Sequence, residues 1–309
     1  MRRDSVQTLD VVSAVLRPAD HPADSGRNLR GGILVGAAAL LWSTGGLIVR
    51  SLELADAWTT VLWRGLAAGT FLLAFIALRE RRNTVRAFLR IGWPGIVIAL
   101  CYACGSTALV IAFKLTSVTD VLVIMSSAPL LTAVLGWAVL GERVRTVSWL
   151  AMLATVAGIG LMVSDSYASG SILGDMVAAV IAVAQAIAGV TLRRHRSVQM
   201  APAMCAATFL TFLAAVPFAA PLAVTVKDVG LLTYFGAGQL GLGFALFSFG
   251  APLIPVADAA LLSVLEPIFG PFWVWLVLGE QPSRGAILGG VIVLAALAAH
   301  LREVGRKRS

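Results

Sequence analysis

The sequence predicts an all-α integral membrane protein in which ten transmembrane helices form two inverted five-helix repeats. Three observations lead to this fold class: high hydropathy, regularly spaced apolar segments, and a stretch near mid-chain that recurs near the end. Of the 309 residues, 59% are hydrophobic and 13% are charged, and the mean hydropathy is +0.89. A soluble domain does not require so apolar a composition, so we expect the chain to lie in a bilayer.

Charged residues and clusters of Gly and Pro divide the chain into ten apolar segments, which we number as the first to the tenth span. Each is close to the roughly 20 residues with which an α-helix crosses about 30 Å of hydrocarbon while satisfying its own backbone hydrogen bonds. The predicted spans are residues 31–49, 57–78, 88–113, 118–140, 147–164, 171–192, 201–222, 229–250, 256–278 and 285–301.

Lysine and arginine predict the orientation of these spans. Of the 24 Lys and Arg residues, 19 fall in the tails and connections on the same side as the N-terminus. Arg64 lies within the second span, and the four on the other side are Arg50, Lys114, Lys227 and Arg284. Because positive residues accumulate on the inner side of a membrane, we expect both termini in the cytoplasm. The net charge of +8 follows from this bias and does not indicate a nucleic-acid partner.

The remaining organisation follows from these spans. Residues 1–30 lack the apolar core of a cleaved signal, so we predict a loose cytoplasmic tail there. The first five-helix repeat is predicted at 31–164 and the second at 171–301, and residues 302–309 form a basic cytoplasmic tail.

An internal repeat explains why two apolar runs end on the same letters. The stretch VTDVLVIMSSAPLLTAVLGWAVLGE at 118–142 aligns without a gap with VADAALLSVLEPIFGPFWVWLVLGE at 256–280. The copies are identical at eight positions, including a proline at mid-length and the closing Leu-Gly-Glu. A fixed offset of 138 residues indicates a duplication.

The two copies are predicted to run in opposite directions, because the fourth and ninth spans are separated by an odd number of crossings. A pseudo-twofold axis in the membrane plane then relates the halves, an arrangement that recurs in secondary transporters. The inverted repeat therefore predicts a transporter, and the family resemblance described next implies that it works by alternating access between the halves.

Short motifs at matching places carry a family resemblance. They are LLW at 40–42, WRG at 63–65, SAP at 127–129, LEP at 265–267, and the closing pairs Gly141, Glu142 and Gly279, Glu280. With these motifs the chain resembles the EamA-type branch of the drug/metabolite transporter superfamily, from residue 31 to about residue 301.

The resemblance implies a ten-helix exporter with a central cavity bounded mainly by the first, third, fourth, sixth, eighth and ninth spans. Several bacterial members export amino acids, notably aromatic ones and threonine, and others export nucleosides, cofactor precursors or toxic cations. The small four-helix multidrug relatives carry an essential Glu in their first helix. This first span has none, which disfavours a two-proton cation exchanger of that design.

Pro129 and Pro267 occupy equivalent places near the middle of the fourth and ninth spans. A proline lacks an N–H, so the carbonyls of Met125 and Ser263 lose their helical partners. Matched helix breaks in inverted halves indicate a midplane binding and gating site. The other interpretation is a packing kink, which membrane helices tolerate.

Glu266 precedes the second of these prolines, whereas its repeat mate is Ala128. An ionisable group at mid-depth is expensive unless it is paired, hydrated or protonated, so a functional role is the default hypothesis. The sequence leaves two roles open for Glu266: a proton relay, or an ion pair with Arg64. Arg64 in turn is placed either to pair with Glu266 or to snorkel to the interface.

Other polar and aromatic residues inside the spans are candidates for contact with a solute, although helix packing and bonds to the helix's own backbone are common fates of such residues. The predicted substrate-binding set is Trp42, Ser43, Arg64, Tyr102, Ser106, Ser126, Gln185, Gln239, Ser263 and Glu266.

Two further motifs are predicted to be structural. CYAC at 101–104 has a redox spacing but lies inside an apolar span, away from any thioredoxin-like pattern. GAGQLG at 236–241 spells a dinucleotide motif but has no strand before it, so close helix contact through small residues explains it better.

We expect the substrate to be a small metabolite, most simply an amino acid, with no cofactor and with proton coupling left open. The alternatives are organic cations or nucleosides and, further away, nucleotide sugars. An enzyme is not expected, because His21, His195 and His300 do not lie at membrane depth beside a nucleophile and no hydrolase motif occurs. A channel is disfavoured by the inverted repeat. We expect a bacterial inner-membrane location and a monomer or homodimer.

Overall fold

The computed structural model describes residues 22–53, 56–141, 146–169, 171–195 and 198–305. Throughout these ranges, the regular elements are helices. Seven of the described helices are long and apolar enough to cross a membrane, and three shorter apolar helices bring the number to ten. The predicted all-α, ten-span fold class is confirmed.

The helices have the following bounds. In the first half the spans are Pro22–Ser43 with Gly45–Ser51, Ala57–Glu80, Gly92–Leu115, Val118–Met125 with Ala128–Leu140, and Thr146–Ser169. In the second half they are Ile172–Arg194, Met200–Ala215, Val226–Thr233 with Tyr234–Leu242 and Gly243–Gly250, Val256–Ser263 with Leu265–Leu278, and Arg284–Gly305. Three short helical pieces, Arg81–Asn83, Thr84–Leu89 and Ala251–Leu253, connect spans.

The packing of the spans has the symmetry expected of two related halves. The second span packs on the seventh and the fifth on the tenth, so each of these pairs joins equivalent spans. Each of the other major contacts has a counterpart in which the two halves are exchanged. The third span packs on the sixth as the eighth packs on the first, and the third packs on the seventh as the eighth packs on the second. The fourth span packs on the sixth as the ninth packs on the first. An odd number of spans per half makes this pseudo-twofold relation an inversion.

Several predicted boundaries differ from the structure: the fifth span continues to Ser169, the eighth begins at Val226, and the tenth continues to Gly305, into the predicted basic tail. Three further differences have a local backbone cause. Residues 22–30 were assigned to a loose tail, but they continue the first span as helix from Pro22, a residue suited to a first helical turn. The predicted third span, 88–113, instead begins at Gly92, whose φ of +57° turns the chain after the short helix Thr84–Leu89. Residues 1–21 and 306–309, and with them most of both predicted tails, lie outside the described residues.

The third difference concerns the seventh span, which was predicted at 201–222. The helix ends at Ala215, two residues before Pro217. Because proline has no N–H to donate and clashes with the preceding turn, it cannot continue the helix.

The repeated Leu-Gly-Glu is a helix terminator. Gly141 and Gly279 have φ of +67° and +70°, the left-handed conformation that glycine adopts with little strain. Their N–H groups donate to the carbonyls of Trp137 at 3.1 Å and Trp275 at 3.0 Å. Glu142 lies outside the described residues, and the structural likeness of the two motifs concerns their glycines.

The two faces of the bundle differ in charge. Arginines cluster at the ends of the second and sixth spans on one face, which we call the arginine-rich face: Arg79, Arg81, Arg82, Arg86, Arg90, Arg193 and Arg194. The opposite face carries two ion pairs, Arg50 to Glu280 at 3.4 Å and Lys227 to Glu53 at 2.9 Å. Arg50 and Glu280 come from the first and ninth spans, so this pair connects the two halves.

Candidate functional site

Four spans depart from regular α-helix near mid-depth. The fourth is interrupted at Ser126 and Ser127 and the ninth at Val264, which are equivalent places in the repeat. The N–H groups of Ser127 and Val264 donate three residues back, to Ile124 and Leu261, both at 3.1 Å. The first span is interrupted at Thr44, and the eighth contains a π-helix at Tyr234–Leu242.

Both interruptions lie two or three residues before a proline, Pro129 in the fourth span and Pro267 in the ninth. Each proline lies in the first turn of the second helical piece, Ala128–Leu140 or Leu265–Leu278, where a missing N–H has no intrahelical partner to lose. The break is therefore built into both halves at the same depth. A role of these breaks in gating stays a prediction.

The first span reaches the eighth through glycine. A Cβ on Gly45 would lie 3.0 Å from Nε2 of Gln239 and 3.5 Å from the ring of Phe235. The hydroxyls of Ser43 and Thr44 donate to the carbonyls of Leu40 and Leu41, both at 2.7 Å, which accompanies the interruption of the helix. The break and the small residue together bring the first span against Gln239.

The motif GAGQLG forms most of the π-helix, and its glycines allow close helix contact as predicted. A Cβ on Gly236 would lie 2.6 Å from the carbonyl oxygen of Arg64. Single turns of π-helix occur frequently at functional sites. This one places Gln239 inside the bundle, with 3% of its surface exposed.

Arg64 is buried at the junction of the second, third and eighth spans, with 3% of its surface exposed. Its guanidinium carbon lies 4.4 Å from the centroid of the Phe235 ring, and Nη1 donates to the hydroxyl of Ser106. Its Nε makes no hydrogen bond to another described group. The prediction that Arg64 snorkels to the interface is therefore wrong, because a cation–π contact and a hydroxyl hold it inside the bundle.

Gln239 connects the eighth span to the first. Its Nε2 donates to the carbonyl of Trp42 at 2.8 Å, while its Oε1 is buried without a hydrogen-bond partner among the described groups. A buried polar atom left in this way is costly unless something else satisfies it. Gln239 Oε1 and Arg64 Nε thus offer one acceptor and one donor on either side of Phe235.

The predicted aromatic residues lie toward the arginine-rich face of this group. Trp42 and Tyr102 pack against an apolar cluster that includes Leu72, Ile76 and Phe244. The indole Nε1 of Trp42 points at the eighth span, where a Cβ on Gly243 would lie 2.5 Å from it. These rings close one end of the polar group by packing.

Ser43 is fully buried and accepts a hydrogen bond from Nε1 of Trp273 at 3.0 Å. This contact joins the first span to the ninth. Sequence reasoning missed both Trp273 and Phe235. Trp273 stands two helical turns after Glu266 on the same face, and that spacing was the signal available for finding it.

Glu266 lies in the first turn of the helix that follows the interruption of the ninth span, and it is half-buried. It interacts electrostatically with Arg64. No nitrogen of Arg64 lies within 4.0 Å of a Glu266 carboxylate oxygen, and no described residue forms a hydrogen bond with this carboxylate. The two charges therefore face one region of the bundle without forming a direct ion pair.

Ser126, Ser263 and Gln185 have no described contact with these residues. The hydroxyls of Ser126 and Ser263 donate to their own helices, at Val123 at 2.7 Å and Ala259 at 3.0 Å. Gln185 is half-buried on the sixth span. We call the following residues the central polar group, in which Glu266 is included for its electrostatic interaction with Arg64: Trp42, Ser43, Arg64, Ser106, Phe235, Gln239, Glu266 and Trp273.

A second polar cluster on the opposite face was also missed. The hydroxyl of Thr116 donates to Asp175 at 2.8 Å and lies 3.4 Å from Asp120. Arg50 Nη2 donates to the Thr116 carbonyl at 2.8 Å. Aspartates at span ends are common, so composition offered no signal that these two are buried together.

Comparison with known proteins now identifies the family. The model of the EamA-like transporter family matches residues 29–164 and again residues 169–301. The chain belongs to the EamA-like transporter family. It is therefore a multi-pass membrane protein of a transporter family, and the resemblance drawn from its motifs is confirmed.

Two relatives of this EamA-family protein are informative. It is 26% identical over 217 residues to an uncharacterized transporter of Bacillus subtilis (strain 168), YwfM, covering 66% of this chain and 72% of that protein. It also aligns with a protein of known crystal structure at a TM-score of 0.63 and 21% identity, covering 87% of this chain and 96% of the other. The second likeness concerns the fold alone. Family and relative both point to transport and away from catalysis.

Proposed function

We propose that this EamA-family protein exports small zwitterionic metabolites, above all amino acids, by alternating access between its two halves. The observation that carries the proposal is the central polar group. It presents one cation and one carboxylate, Arg64 and Glu266, that interact electrostatically without forming a direct ion pair. It also offers a donor, Arg64 Nε, and an acceptor, Gln239 Oε1, that are buried without a hydrogen-bond partner among the described groups.

This chemistry complements an amino acid. An α-carboxylate meets the guanidinium of Arg64, and an α-ammonium meets Glu266 and Gln239 Oε1. An apolar side chain rests against the aromatic rings of Phe235 and Trp273. A nucleotide sugar is a poorer fit, because its two phosphates would require several cations, and Arg64 is the one cation at mid-depth among the described residues.

Alternating access is supported by the matched interruptions of the fourth and ninth spans, since paired broken helices in inverted halves mark the region about which such carriers move. Proton coupling is assigned to Glu266, the carboxylate that faces Arg64. No cofactor and no nucleic acid takes part, and the protein works as a monomer or homodimer.

The arginine-rich face is the cytoplasmic face of a bacterial inner membrane, and both termini lie there. The asymmetry of positive charge between the two faces supports this orientation.

Counterflow in liposomes tests the function. Purified protein is reconstituted and loaded with unlabelled phenylalanine, threonine, a nucleoside or a quaternary ammonium ion. We expect labelled phenylalanine or threonine to accumulate transiently only in vesicles loaded with an amino acid, and the Arg64→Gln variant to lose this exchange. Exchange of nucleosides or quaternary cations with no exchange of amino acids would refute the substrate class but leave the carrier mechanism in place.

A further inference from the structure

Two neighbouring cavities open on the arginine-rich face, away from the central polar group. The smaller, of about 80 Å³, is lined by residues that include Asn83, Arg86 and Arg90. The larger, of about 250 Å³, lies among the ends of the second, seventh and eighth spans, with Arg79 at its edge. Glu80 and Gln199 line both cavities, so the two adjoin each other, and we call them together the depression.

The lining of this depression is charged at one end and apolar at the other. Three arginines, Arg79, Arg86 and Arg90, face one carboxylate, Glu80, which leaves an excess of positive charge. The larger cavity continues along apolar side chains, among them Phe75, Ile76 and Met200. Such a combination of cations and an apolar slot suits an amphiphile with an anionic head.

The surface around the depression is that of a membrane boundary. On the short helix Thr84–Leu89, Val85 and Leu89 are 71% and 78% exposed, and Leu78 just before it is 79% exposed. Trp93 follows with 64% of its surface exposed. Large apolar residues and a tryptophan next to arginines are typical of the level at which lipid headgroups meet hydrocarbon.

The depression is also separate from the central polar group. Ile76 lines the larger cavity and belongs to the apolar cluster with Leu72 and Phe244, against which Trp42 packs. No residue of the central polar group lines either cavity. A ligand in the depression therefore does not have to be the transported solute.

We propose that this depression is a binding site for one anionic phospholipid, whose phosphate lies among Arg79, Arg86 and Arg90 and whose acyl chain follows Phe75, Ile76 and Met200. Basic recesses between transmembrane helices bind lipid phosphates in this way. A cation–π contact holds Arg79 in place for this role: its guanidinium carbon lies 5.3 Å from the centroid of the Phe249 ring. The occupied site ties the connection between the second and third spans to the start of the seventh.

The test is lipid binding measured by native mass spectrometry on the purified full-length protein. Phosphatidylglycerol, phosphatidylcholine and inorganic phosphate are titrated separately. We expect one phosphatidylglycerol to bind in preference to phosphatidylcholine. The triple variant Arg79→Gln, Arg86→Gln, Arg90→Gln should bind it at least about twenty-fold more weakly, because each arginine near an anionic lipid contributes several-fold in affinity.

A control triple variant, Arg30→Gln, Arg193→Gln, Arg194→Gln, removes the same charge from the same face outside the depression and should bind phosphatidylglycerol like the unaltered protein. The variant Glu80→Gln removes the one carboxylate of the lining and should bind it more tightly. This gain cannot arise from misfolding.

Equal weakening in both triple variants would overturn the proposal, because it would reduce the effect to net charge. If inorganic phosphate bound to the protein but phosphatidylglycerol did not, the ligand would not be a lipid and the proposal would be overturned. Unchanged lipid binding with lost amino-acid counterflow in the first triple variant would assign the depression to the solute path and also overturn the proposal.

Discussion

Glu266 and Arg64 dominate the chemistry of this protein at the scale of the single residue. Both lie inside an apolar bundle, and each would be costly there without compensation. Arg64 is compensated by the Phe235 ring and the Ser106 hydroxyl, whereas no described residue forms a hydrogen bond with Glu266. Under the proposed function, the carboxylate is therefore the group whose partner changes when a solute or a proton binds.

The Glu266→Gln variant tests this role. A hydrogen bond to a charged group contributes about 1.5–3 kcal/mol, so we expect the half-saturating substrate concentration in counterflow to rise at least about ten-fold. The dependence of transport on pH should flatten, because glutamine cannot exchange a proton in this range. Glu53→Gln is the matched control: Glu53 forms an exposed ion pair with Lys227 on the opposite face, and its loss should leave transport unchanged. Transport and a pH profile like those of the unaltered protein in Glu266→Gln would make this residue structural.

At the scale of the helix, the repeated Leu-Gly-Glu works through its glycine. Gly141 and Gly279 both end a helix in the left-handed conformation, where a side chain adds strain between Cβ and the following carbonyl. The motif therefore marks the same structural event in both halves: the end of the helix that carries the mid-span break.

Alanine substitutions at these glycines should destabilise the protein. The left-handed conformation costs a residue with a Cβ about 1–2 kcal/mol, so Gly141→Ala and Gly279→Ala should each lower Tm by several degrees. Gly36→Ala and Gly160→Ala are the controls, because these glycines are helical and a Cβ there has open space. The controls should hold or raise Tm, since alanine is the better helix former. Thermal unfolding of purified protein in detergent measures all four, and equal shifts in the two sets would contradict the role of the left-handed cap.

For the molecule as a whole, the halves are related by symmetry in their helix contacts but not in their charged surfaces. The exchanged contact pairs involve the interrupted first, fourth, eighth and ninth spans. The Arg50 to Glu280 pair joins the halves across the opposite face. That face carries fewer arginines than the arginine-rich face, and from this difference we expect the arginine-rich face in the cytoplasm.

Thiol labelling tests that direction. In a background without Cys101, Cys104 and Cys205, a cysteine at Asn83 should be shielded from an impermeant reagent in intact cells, whereas one at Gln281 should react. Both positions are exposed. Ser283, which lies in the same connection as Gln281, is less suitable because its hydroxyl accepts a hydrogen bond from the N–H of Ala286. Permeabilised cells, in which both cysteines should react, provide the control. The reverse labelling pattern would place the termini outside.

Hydropathy, the positions of Pro and Gly, and the internal repeat determined the spans and the fold class from the sequence, because each of these signals depends on the local chain. An apolar run must become a helix in hydrocarbon, a mid-span proline favours a break or kink in that helix, and a glycine after Leu140 or Leu278 is free to end it. Pro271 lies inside the helix Leu265–Leu278 without interrupting it, so proline alone does not determine where a break falls. The spans and the fold class are local consequences of this kind. The helix starts at Pro22 and Gly92 were not predicted, because the ends of an apolar run do not have to coincide with the residues at which the backbone begins or leaves a helix.

Only the tertiary structure decided which polar residues meet. Arg64, Ser106, Phe235 and Gln239 come from three spans, and nothing in their spacing indicates that Gly236 and Gly45 let those backbones approach within reach. Ser126 and Ser263 fit the same sequence criteria as Ser43 and Ser106. Ser43 and Ser106 accept hydrogen bonds from side chains of other spans, Trp273 and Arg64, whereas the hydroxyls of Ser126 and Ser263 donate to their own helices. Side-chain partners across helices depend on the packing of the whole bundle, a long-range property that a periodic pattern does not contain.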